Sequence, residues 1–228
     1  MGIALVTGGN KGIGLETARQ LTDLGHDVFL GARDADRGAE AAAAVGARFV
    51  QLDVTDDASV ARARDEIAGV AGHLDILVNN AGIQEFGAID GPVALRGFDT
   101  NAVGVVRVTE AALPLLRRSA HAVVVTVSSS AGSFWAVTNR ERPEFHLTNA
   151  VYAASKAAAT MLTLQYAKAN PQMRINAVEP GYTATDMTAG FEGGQPVEAA
   201  ASVVIRLATV GADGPTGTLQ DASGEMSW

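Results

Sequence analysis

The 228-residue chain contains no cysteine, few aromatic residues (5%) and few charged ones (18%). Without cysteine it can have no disulfide, no thiolate nucleophile and no cysteine-ligated zinc. Its four histidines are scattered without the spacing of metal ligands, so we predict no metal site. No apolar run approaches the roughly 20 residues that cross a bilayer. A strand pattern begins at Gly2, too early for a signal peptide, and we therefore expect a cytoplasmic protein that is not bound to a membrane.

Positive charge is also scarce, because 17 lysine and arginine residues face 25 aspartate and glutamate residues and give a net charge of -8. Nucleic acids and membrane surfaces are polyanions that repel an acidic protein on average, so we expect neither as a partner. Apolar residues make up 47% of the chain, enough for a sizeable core. The length suits one α/β domain over residues 1–228 better than two.

Continuous apolar runs alternate with alanine-rich helical stretches along the whole chain. Such runs are typical of strands that are covered on both faces, and strand–helix alternation predicts parallel β-α-β units. We therefore predict a doubly wound α/β fold with seven parallel strands in the order 3-2-1-4-5-6-7 and helices on both faces. The predicted strands are Ile3–Thr7, Asp27–Gly31, Ala47–Leu52, Leu74–Asn79, Ala122–Val127, Arg174–Val178 and Thr218–Gln220; the predicted helices are Gly12–Leu24, Arg37–Val45, Asp57–Val70, Val93–Arg118, Val151–Asn170 and Val197–Thr209.

A glycine-rich turn, Thr7–Gly14, joins the first predicted strand to the first helix. Glycine lets the backbone turn tightly and approach a pyrophosphate, which the free N–H groups of a helix start can bind. The spacing G-x-x-x-G-x-G differs from the common G-x-G-x-x-G and also fits an ordinary left-handed turn. Its position between strand and helix favours dinucleotide binding. The predicted contacts are Gly8, Asn10, Lys11, Gly12, Ile13 and Gly14.

The end of the second strand favours NADPH over NADH. An acidic residue there would bind the adenosine ribose and select NAD, but the strand is followed by Arg33, with Arg37 four residues further on. Together with Lys11 of the glycine turn, these cations suit the 2′-phosphate of NADPH. Asp34 could instead pair with one arginine or touch a ribose, and both arginines could be solvated charges at a helix start. We predict NADPH or NADP as the cofactor, with NADH as the less favoured alternative.

Tyr152 and Lys156 lie four residues apart near the start of a predicted helix, which places them on one face. A phenol has an unperturbed pKa of about 10, too high for easy proton exchange near neutral pH. A neighbouring ammonium group stabilises the phenolate and lowers that pKa, and the same lysine could reach the ribose of a nicotinamide cofactor. The pair alone also fits an ordinary exposed helical pair, so its meaning depends on the other motifs.

Seven motifs follow one another along the chain: TGGNKGIG at Thr7–Gly14, LDVTD at Leu52–Asp56, NNAG at Asn79–Gly82, N-x-x-G at Asn101–Gly104, VVTVSSSAG at Val124–Gly132, YAASK at Tyr152–Lys156 and NAVEPGYTATDM at Asn176–Met187. Together they resemble the short-chain dehydrogenase/reductase superfamily, a group of Rossmann-fold enzymes, over essentially the whole chain. The first motif and the Gly31–Asp34 turn resemble the NADPH-dependent carbonyl reductases of that group. The resemblance implies an oxidoreductase that reduces a ketone, aldehyde or quinone to an alcohol by hydride transfer.

The resemblance also implies a catalytic tetrad of Asn101, Ser129, Tyr152 and Lys156. Tyr152 would donate a proton in reduction and accept one in oxidation, and Lys156 would lower its pKa and hold the nicotinamide ribose. Ser129 would hydrogen-bond the carbonyl oxygen of the substrate, although either neighbouring serine could be confused with it. Asn101 would order a helix and a water that relays protons to Lys156. In isolation, Asn101 and Ser129 would also fit helix and strand-end caps.

The remaining cofactor contacts that the resemblance implies lie at the carboxyl ends of the predicted strands, where doubly wound sheets bind ligands. They are Asp53 and Val54 at the adenine, Asn80, Ala81 and Gly82 along the adenosine and ribose path, and Pro180, Gly181, Thr183 and Thr185 beside the nicotinamide, in addition to Asn101, Tyr152 and Lys156.

Two segments bear on the substrate. The segment Ala131–Ala150 is longer than is usual in the family and carries Phe134, Trp135 and Phe145. We predict that it walls the substrate pocket, although a surface loop is the alternative. Residues near 183–200, with Phe191 and a Gly-Gly pair, correspond to the family's substrate-binding loop and suit a mobile lid. This composition predicts an apolar or aromatic small-molecule carbonyl substrate.

Two other functions and two assemblies stay open at this level. The chain could oxidise a secondary alcohol with NADP or NAD, or it could be a non-catalytic NADPH-binding regulator. Retention of both Tyr152 and Lys156 argues against the regulator. A homodimer or homotetramer could form through the helices that begin near Val93 and Val151, unless the Ala131–Ala150 segment blocks that contact.

Overall fold

The computed structural model describes residues 1–190 and 192–228. Eight strands form one sheet: β1 Ile3–Thr7, β2 Asp27–Ala32, β3 Arg48–Gln51, β4 Ile76–Asn79, β5 Val123–Val127, β6 Arg174–Val178, β7 Leu219–Asp221 and β8 Gly224–Met226. Their order is β3-β2-β1-β4-β5-β6-β7-β8. The first seven strands pair in parallel, which confirms the predicted fold class and order.

The eighth strand corrects the prediction of seven. It runs back antiparallel to β7, with Leu219 opposite Met226. Gly224 has a φ of 126°, and the Ser223 N–H donates to the Asp221 carboxylate at 2.7 Å, so a tight turn reverses the chain. A strand of three residues is too short to produce a hydrophobic pattern, which is why the sequence does not reveal it.

Eight α-helices flank the sheet in the described part of the chain: α1 Gly12–Asp23, α2 Ala35–Val45, α3 Asp57–Ala71, α4 Gly91–Phe98, α5 Gly104–Leu116, α6 Phe134–Thr138, α7 Ala150–Ala169 and α8 Val197–Ala208. The helix predicted over Val93–Arg118 is present, but it is not α-helical throughout. A π-helical turn, Asp99–Val103, separates α4 from α5. A π-helical turn holds more residues per turn than an α-helix. This one is held by side-chain hydrogen bonds to a distant loop, and hydrophobic periodicity cannot reveal such bonds. No helix among the described residues is both long and apolar enough to span a membrane.

Side chains that alternate along the strands form a hydrophobic core on each face of the sheet. On β1, Leu5 belongs to the core under α3 and α5, whereas Ala4 and Val6 belong to the core under α1 and α8. Every residue of β5 is buried, as expected for a strand covered on both sides. The two cores leave the carboxyl ends of β1, β4, β5 and β6 free to carry polar groups.

The segment between β5 and α7 is structured and fastened to residues near position 228. It contains a 3₁₀ turn at Ser130–Gly132, then α6, then a second 3₁₀ turn at Pro143–His146. The Trp135 N–H donates to the Trp228 carbonyl at 2.9 Å, and the Ser133 hydroxyl donates to the Ser227 carbonyl at 2.9 Å. These bonds hold α6 next to the turn that follows β5.

At the amino ends of the central strands, the carboxylate of Asp75 ties three segments together. It accepts from the Ile3 N–H at 2.7 Å, from the Ser119 hydroxyl at 2.5 Å and from the ring of His73 at 3.2 Å. Burial raises the pKa of Asp75, but the bonds from Ser119, Ile3 and His73 lower it by more, so it lies below its usual value. The carboxylate therefore stabilises the folded state in its charged form.

We expect Asp75→Asn to lower the free energy of unfolding by about 2 kcal/mol at pH 7, because a charge-assisted acceptor is lost. A depressed folded pKa contributes stability above the unfolded value of about 3.9 and loses it as the pH falls through the folded value. The difference between variant and wild type should therefore shrink at acid pH. Urea unfolding at pH 7 and pH 3 measures both effects. Asp65→Asn, which removes an exposed ion pair with Arg64, should cost less than about 0.5 kcal/mol; equal losses for the two variants would contradict the prediction.

Candidate active site

The glycine turn after β1 is pressed against the loop that follows β4. A Cβ atom on Gly8 would lie 2.9 Å from the Cα of Ala81. The Asn80 amide donates to the carbonyls of Thr7 at 2.9 Å and Gly8 at 3.1 Å. The Thr7 hydroxyl accepts from the N–H groups of Asn80 and Ala81, each at 3.0 Å. Two of the predicted cofactor-binding segments are thus joined at the top of adjacent strands.

The N-terminus of α1 fits the phosphates of a dinucleotide. Helices α2, α3 and α4 each begin with an aspartate whose side chain accepts from a backbone N–H group of the first turn, namely Asp34, Asp56 and Asp90. Helix α1 begins after Lys11, has no side-chain cap and has no acidic residue in its first turn. Backbone N–H groups at such a helix start attract an anion. The residues present therefore suit a pyrophosphate.

The loop after β6 lies against the same glycine turn. A Cβ atom on Gly12, whose φ is 55°, would lie 3.4 Å from the methyl carbon of Thr185. The Lys11 ammonium lies 2.9 Å from the Asp186 carboxylate. In the turn itself Asn10 is half-buried, and Ile13 packs against the core under α1. The predicted residues of these two segments therefore share one cleft, with Lys11 paired to a carboxylate that the sequence did not link to it.

The three cations that favour NADPH have different surroundings. Arg37 pairs with Asp34, whose carboxylate accepts from its backbone N–H and its guanidinium, both at 3.0 Å. Of the alternatives for Asp34, pairing with an arginine is therefore the one that occurs. Arg33 is exposed, and its side chain forms no ion pair with any described residue. Of the two arginines, Arg33 is thus the one whose charge is not already matched by a carboxylate.

The predicted adenine contacts are tied into local structure. The Asp53 carboxylate accepts from the N–H of Thr55 at 2.9 Å and from its hydroxyl at 2.7 Å. Val54 is buried, and a Cβ atom on Gly104 would lie 3.0 Å from its side chain. The Val54 side chain therefore packs on the first residue of α5.

Tyr152 and Lys156 lie on one face of α7. The Lys156 ammonium is 5.6 Å from the centre of the Tyr152 ring and donates to the Val127 carbonyl at 2.7 Å. Only 4% of Lys156 is exposed. Burial lowers the pKa of Lys156 to about 8, although the negative charge of Glu179 acts in the opposite direction. The lysine is therefore a buried cation close to the phenol.

The sequence predicts a lowered pKa for Tyr152, and the structure gives a raised one. Burial of the phenol raises its pKa to about 12, and the charge of Glu179 raises it as well, whereas a hydrogen bond with the Ser129 side chain lowers it. The prediction considered the effect of the Lys156 ammonium on Tyr152, but neither the burial of the phenol nor the charge of Glu179. In this state the phenol therefore holds its proton at neutral pH.

The structure separates the three consecutive serines after β5. The Ser128 hydroxyl donates to the Lys156 carbonyl at 3.1 Å and lies 2.5 Å from the hydroxyl of Thr160. The Ser130 hydroxyl bonds to the carboxylate of Glu144. Ser129 is the one whose side chain interacts with Tyr152, and it is the serine that the sequence assigns.

Asn101 lies in the π-helical turn and clamps the loop after β4 to α7. Its amide oxygen accepts from the Ile83 N–H at 2.8 Å, and its amide nitrogen donates to the Ile83 carbonyl at 2.8 Å and to the Ser155 hydroxyl at 2.9 Å. A Cβ atom on Gly82 would meet the Asn101 oxygen at 3.3 Å and the Lys156 ammonium at 3.4 Å. Asn101 and Lys156 thus converge on Gly82, at the bottom of the cleft.

Sequence reasoning missed Glu179, a buried carboxylate between β6 and Pro180. It accepts from the backbone N–H of Ser130 and, at 2.7 Å, from that of Gly181. An acidic residue at the end of a predicted buried strand, directly before Pro-Gly, is the signal that could have found it. Its charge acts on both Tyr152 and Lys156, so it belongs to the site.

The segment Ala131–Ala150 borders the site through Ser130. Glu144 is buried, bonds to the Ser130 hydroxyl and pairs with Arg142 at 2.9 Å. The Arg142 guanidinium lies 5.4 Å from the centre of the Trp135 ring. Phe134 is 75% exposed and Trp135 41%. The segment therefore presents aromatic surface and is anchored beside the turn that holds the catalytic serine candidate.

The loop after β6 is held to its own start. The Gln195 amide donates to the Pro180 carbonyl at 2.5 Å, and Thr183 pairs with Gln195 through the backbone. The Thr183 hydroxyl donates to the Gly181 carbonyl at 2.8 Å. Phe191, which we predict to face the substrate, lies outside the described residues. Gln195 is thus bonded to both Pro180 and Thr183, which ties the two described ends of this loop together.

The parallel sheet, the uncapped helix start and the polar cleft define a Rossmann-type nucleotide-binding fold. The short chain dehydrogenase family matches residues 2–195. Salutaridine reductase from Papaver bracteatum is 32% identical, over 98% of this chain and 95% of that protein. (−)-Isopiperitenone reductase from Mentha piperita is 33% identical, over 94% of each chain. The NADPH-bound carbonyl reductase from chicken fatty liver superposes with a TM-score of 0.88 at 26% identity, over 99% of this chain and 98% of that one.

The chain belongs to the short-chain dehydrogenase/reductase family. It is an oxidoreductase that acts on C=O or CH–OH groups. The family uses NAD or NADP, which agrees with the glycine turn and the free N–H groups at the start of α1.

Proposed function

We propose that the chain is an NADPH-dependent carbonyl reductase in which Tyr152 donates the proton that completes the alcohol. The observation that carries the proposal is the cluster of Tyr152, Ser129 and Lys156, in which the Tyr152 phenol bonds to the Ser129 side chain and the centre of its ring lies 5.6 Å from the Lys156 ammonium. Asn101 bonds to Ser155 of α7 and to Ile83, and so joins the helix that carries this cluster to the loop after β4. All four residues of the predicted tetrad therefore belong to one connected site.

NADPH, when bound, supplies the hydride, and the protein supplies position and charge. The glycine turn and the first N–H groups of α1 would hold the pyrophosphate, and Arg33 would hold the 2′-phosphate. Lys156 would hold the nicotinamide ribose, with Asn80–Gly82 and Pro180–Thr185 on either side. The carbonyl reductase from chicken fatty liver binds NADPH and has the same fold over nearly the whole of this chain, which supports the choice of cofactor.

Tyr152 is protonated in the free protein, which is the state that a proton donor in reduction needs at the start of the reaction. A phenol whose pKa is about 12 is protonated at neutral pH and can give its proton to the alkoxide that hydride addition creates. The Ser129 hydroxyl would donate to the same oxygen as negative charge develops on it. Lys156, with a pKa near 8, would carry the positive charge that keeps proton transfer favourable. Oxidation would require the phenolate, which burial and Glu179 both disfavour.

The substrate we propose is a bulky apolar ketone or aldehyde. The segment that follows Ser129 exposes Phe134, Trp135, Phe145 and Leu147, and exposed apolar surface of this kind marks a binding region. A pocket of apolar walls with few polar groups suits such molecules. Two relatives are named as reductases of salutaridine and of (−)-isopiperitenone, which supports a small organic molecule as the substrate.

Consumption of NADPH, followed by its absorbance, tests the proposal against a panel of cyclic ketones, aromatic aldehydes and quinones, with small charged keto acids as a comparison. We expect turnover with one or more of the apolar carbonyls and little with the keto acids. Binding of NADPH without turnover of any carbonyl would support a regulator and contradict a reductase. Faster turnover of secondary alcohols with NADP at neutral pH would contradict the proposed direction.

We expect Arg33→Ser to raise the KM for NADPH by roughly 10- to 100-fold and to leave the KM for NADH within about threefold, because a charge-assisted contact to phosphate contributes about 1.5–3 kcal/mol. Steady-state kinetics with both cofactors measures the change. Arg37→Ser is the matched control, since its guanidinium is already paired with Asp34, and its effect should be smaller. An equal effect of the two variants, or an equal effect on both cofactors, would show that Arg33 does not select NADPH.

A further inference from the structure

Glu179 is a buried carboxylate that neither gives nor takes a proton or hydride in the proposed chemistry. It is 9% exposed, and no ion pair joins it to a lysine, arginine or histidine among the described residues. Burying a carboxylate is costly unless hydrogen bonds replace water. The position of Glu179 therefore needs a physical reason, and its hydrogen bonds supply the first part of one.

The carboxylate of Glu179 joins two turns that border the cleft. One oxygen accepts from the N–H of Ser130, in the turn after β5, and the other accepts from the N–H of Gly181, in the turn after β6, at 2.7 Å. The backbone of Glu179 is held as well, because its N–H donates to the Gln220 carbonyl at 2.8 Å. A single side chain thus fixes the distance between the turn that carries Ser129 and the turn that begins at Pro180.

The charge of Glu179 reaches two groups on α7. It raises the pKa of Tyr152 and the pKa of Lys156. Both effects favour the protonated forms, which are the forms that carbonyl reduction requires. Lys156 is the more sensitive of the two, because its pKa of about 8 is only about one unit above neutral pH.

Other charged groups near Glu179 come from the neighbouring elements. Glu144, from the segment after α6, bonds to the hydroxyl of the same Ser130, and Arg142 pairs with Glu144. Arg206, from α8, lies 3.3 Å from the side chain of Gln220, which is next to Glu179 in the sheet. Glu144 is already neutralised by Arg142 at 2.9 Å, so it serves as a matched buried carboxylate at the same serine.

We propose that Glu179 is a positioning residue of the active site, whose carboxylate locks the turn that carries Ser129 to the turn that begins at Pro180. From this position its negative charge favours the protonated forms of Tyr152 and Lys156. The inference rests on the proposed reductase function for its catalytic meaning. Its electrostatic part concerns residues of the free protein and can be measured without turnover.

The first test is a titration of the three lysines, Lys11, Lys156 and Lys168, by NMR of ¹³C-labelled lysine in the protein without cofactor. We expect Glu179→Gln to lower the midpoint of Lys156 by roughly one to two pH units, the effect of removing one nearby charge in a partly shielded interior. Glu144→Gln should leave this midpoint within about 0.3 unit of wild type. An unchanged Lys156 midpoint in folded Glu179→Gln would overturn the proposal.

The second test is the pH dependence of kcat/KM for NADPH-driven carbonyl reduction. In Glu179→Gln the fall in rate at high pH should begin about one to two units lower than in wild type, because Lys156 loses its proton earlier. A purely structural role would reduce the rate without moving this limb. If the wild-type protein showed no reductase activity, the proposed function would be wrong, but the lysine titration would still test the role of Glu179. If the wild type were active and the high-pH fall in kcat/KM stayed at the same pH in Glu179→Gln, only the role of Glu179 would be wrong.

If Glu179→Gln does not fold, Glu179→Asp is the variant that tests the proposal. Aspartate keeps the charge, so the Lys156 midpoint should stay close to that of wild type. Its shorter side chain cannot hold both the Ser130 and the Gly181 N–H groups, so kcat should fall by roughly tenfold or more through displacement of Ser129. Wild-type kcat in Glu179→Asp, or a Lys156 midpoint lowered as far as a neutral residue would lower it, would overturn the proposal.

Discussion

Replacing Tyr152 by phenylalanine should reduce kcat/KM for carbonyl reduction by about 10²- to 10⁴-fold, the usual contribution of a positioned general acid. Phenylalanine keeps the ring next to Lys156 and Ser129 but has no proton to give. The dissociation constant for NADPH should change by less than about threefold, because the groups that bind its phosphates lie on other elements. Steady-state kinetics and a fluorescence titration with NADPH measure the two quantities separately.

Tyr166→Phe provides the matched control for this experiment. Tyr166 lies on the same helix, α7, and its hydroxyl donates to the Glu110 carboxylate at 2.9 Å. Burial and that bond raise the pKa of Tyr166, so it resembles Tyr152 in chemistry but lies away from the cleft. The control should keep kcat/KM within about twofold of wild type. Loss of activity in both variants, or in neither, would contradict the role of Tyr152.

The parallel order of the first seven strands could be predicted because both faces of the sheet are buried. Strands such as β5, with every residue buried, appear in the sequence as unbroken apolar runs between helices. The pattern then determines a parallel, doubly wound arrangement with few alternatives. The assignment of Tyr152, Lys156 and Ser129 to the site came from the family resemblance of their motifs, and the structure brings the three residues together.

The features that the sequence did not predict depend on contacts between distant segments. The π-helical turn at Asp99–Val103 contains Asn101, whose side chain bonds to Ile83 and Ser155 in other segments. The ion pair between Lys11 and Asp186 spans 175 positions. No local pattern encodes such pairs, because their partners are brought together only by the completed sheet.

The direction of the Tyr152 pKa shift shows why spacing alone was insufficient. A lysine one turn away suggests an acidic phenol, but the free energy of its proton depends on all of its surroundings. Burial is the largest effect, and the second is Glu179, which lies 27 positions further along the chain. Both follow from the packing of α7 against the ends of β5 and β6.

The close packing of α7 against the Ser130–Gly132 turn underlies the second large effect that we expect. A Cβ atom on Gly132 would lie 2.6 Å from the backbone nitrogen of Ala157 and 2.7 Å from the carbonyl carbon of Lys156. Both are backbone atoms of a helix, so they cannot move aside as a flexible side chain would. Gly132→Ala must therefore push the turn and α7 apart. We expect a loss of about 1–3 kcal/mol in the free energy of unfolding and a fall of roughly 100-fold in kcat, because Ser129 and Lys156 move relative to each other.

Gly69→Ala is the matched control for Gly132→Ala, since it makes the same substitution at an exposed site in α3. A Cβ atom on Gly69 would meet no described atom within 4 Å, and alanine has the higher helix propensity. This variant should gain about 0.5–1 kcal/mol in stability and keep wild-type kcat. Urea unfolding and steady-state kinetics on both variants measure the contrast. If Gly132→Ala kept full activity and stability, the turn and α7 would have room between them, and the packing that places Ser129 beside Tyr152 would be looser than the structure indicates.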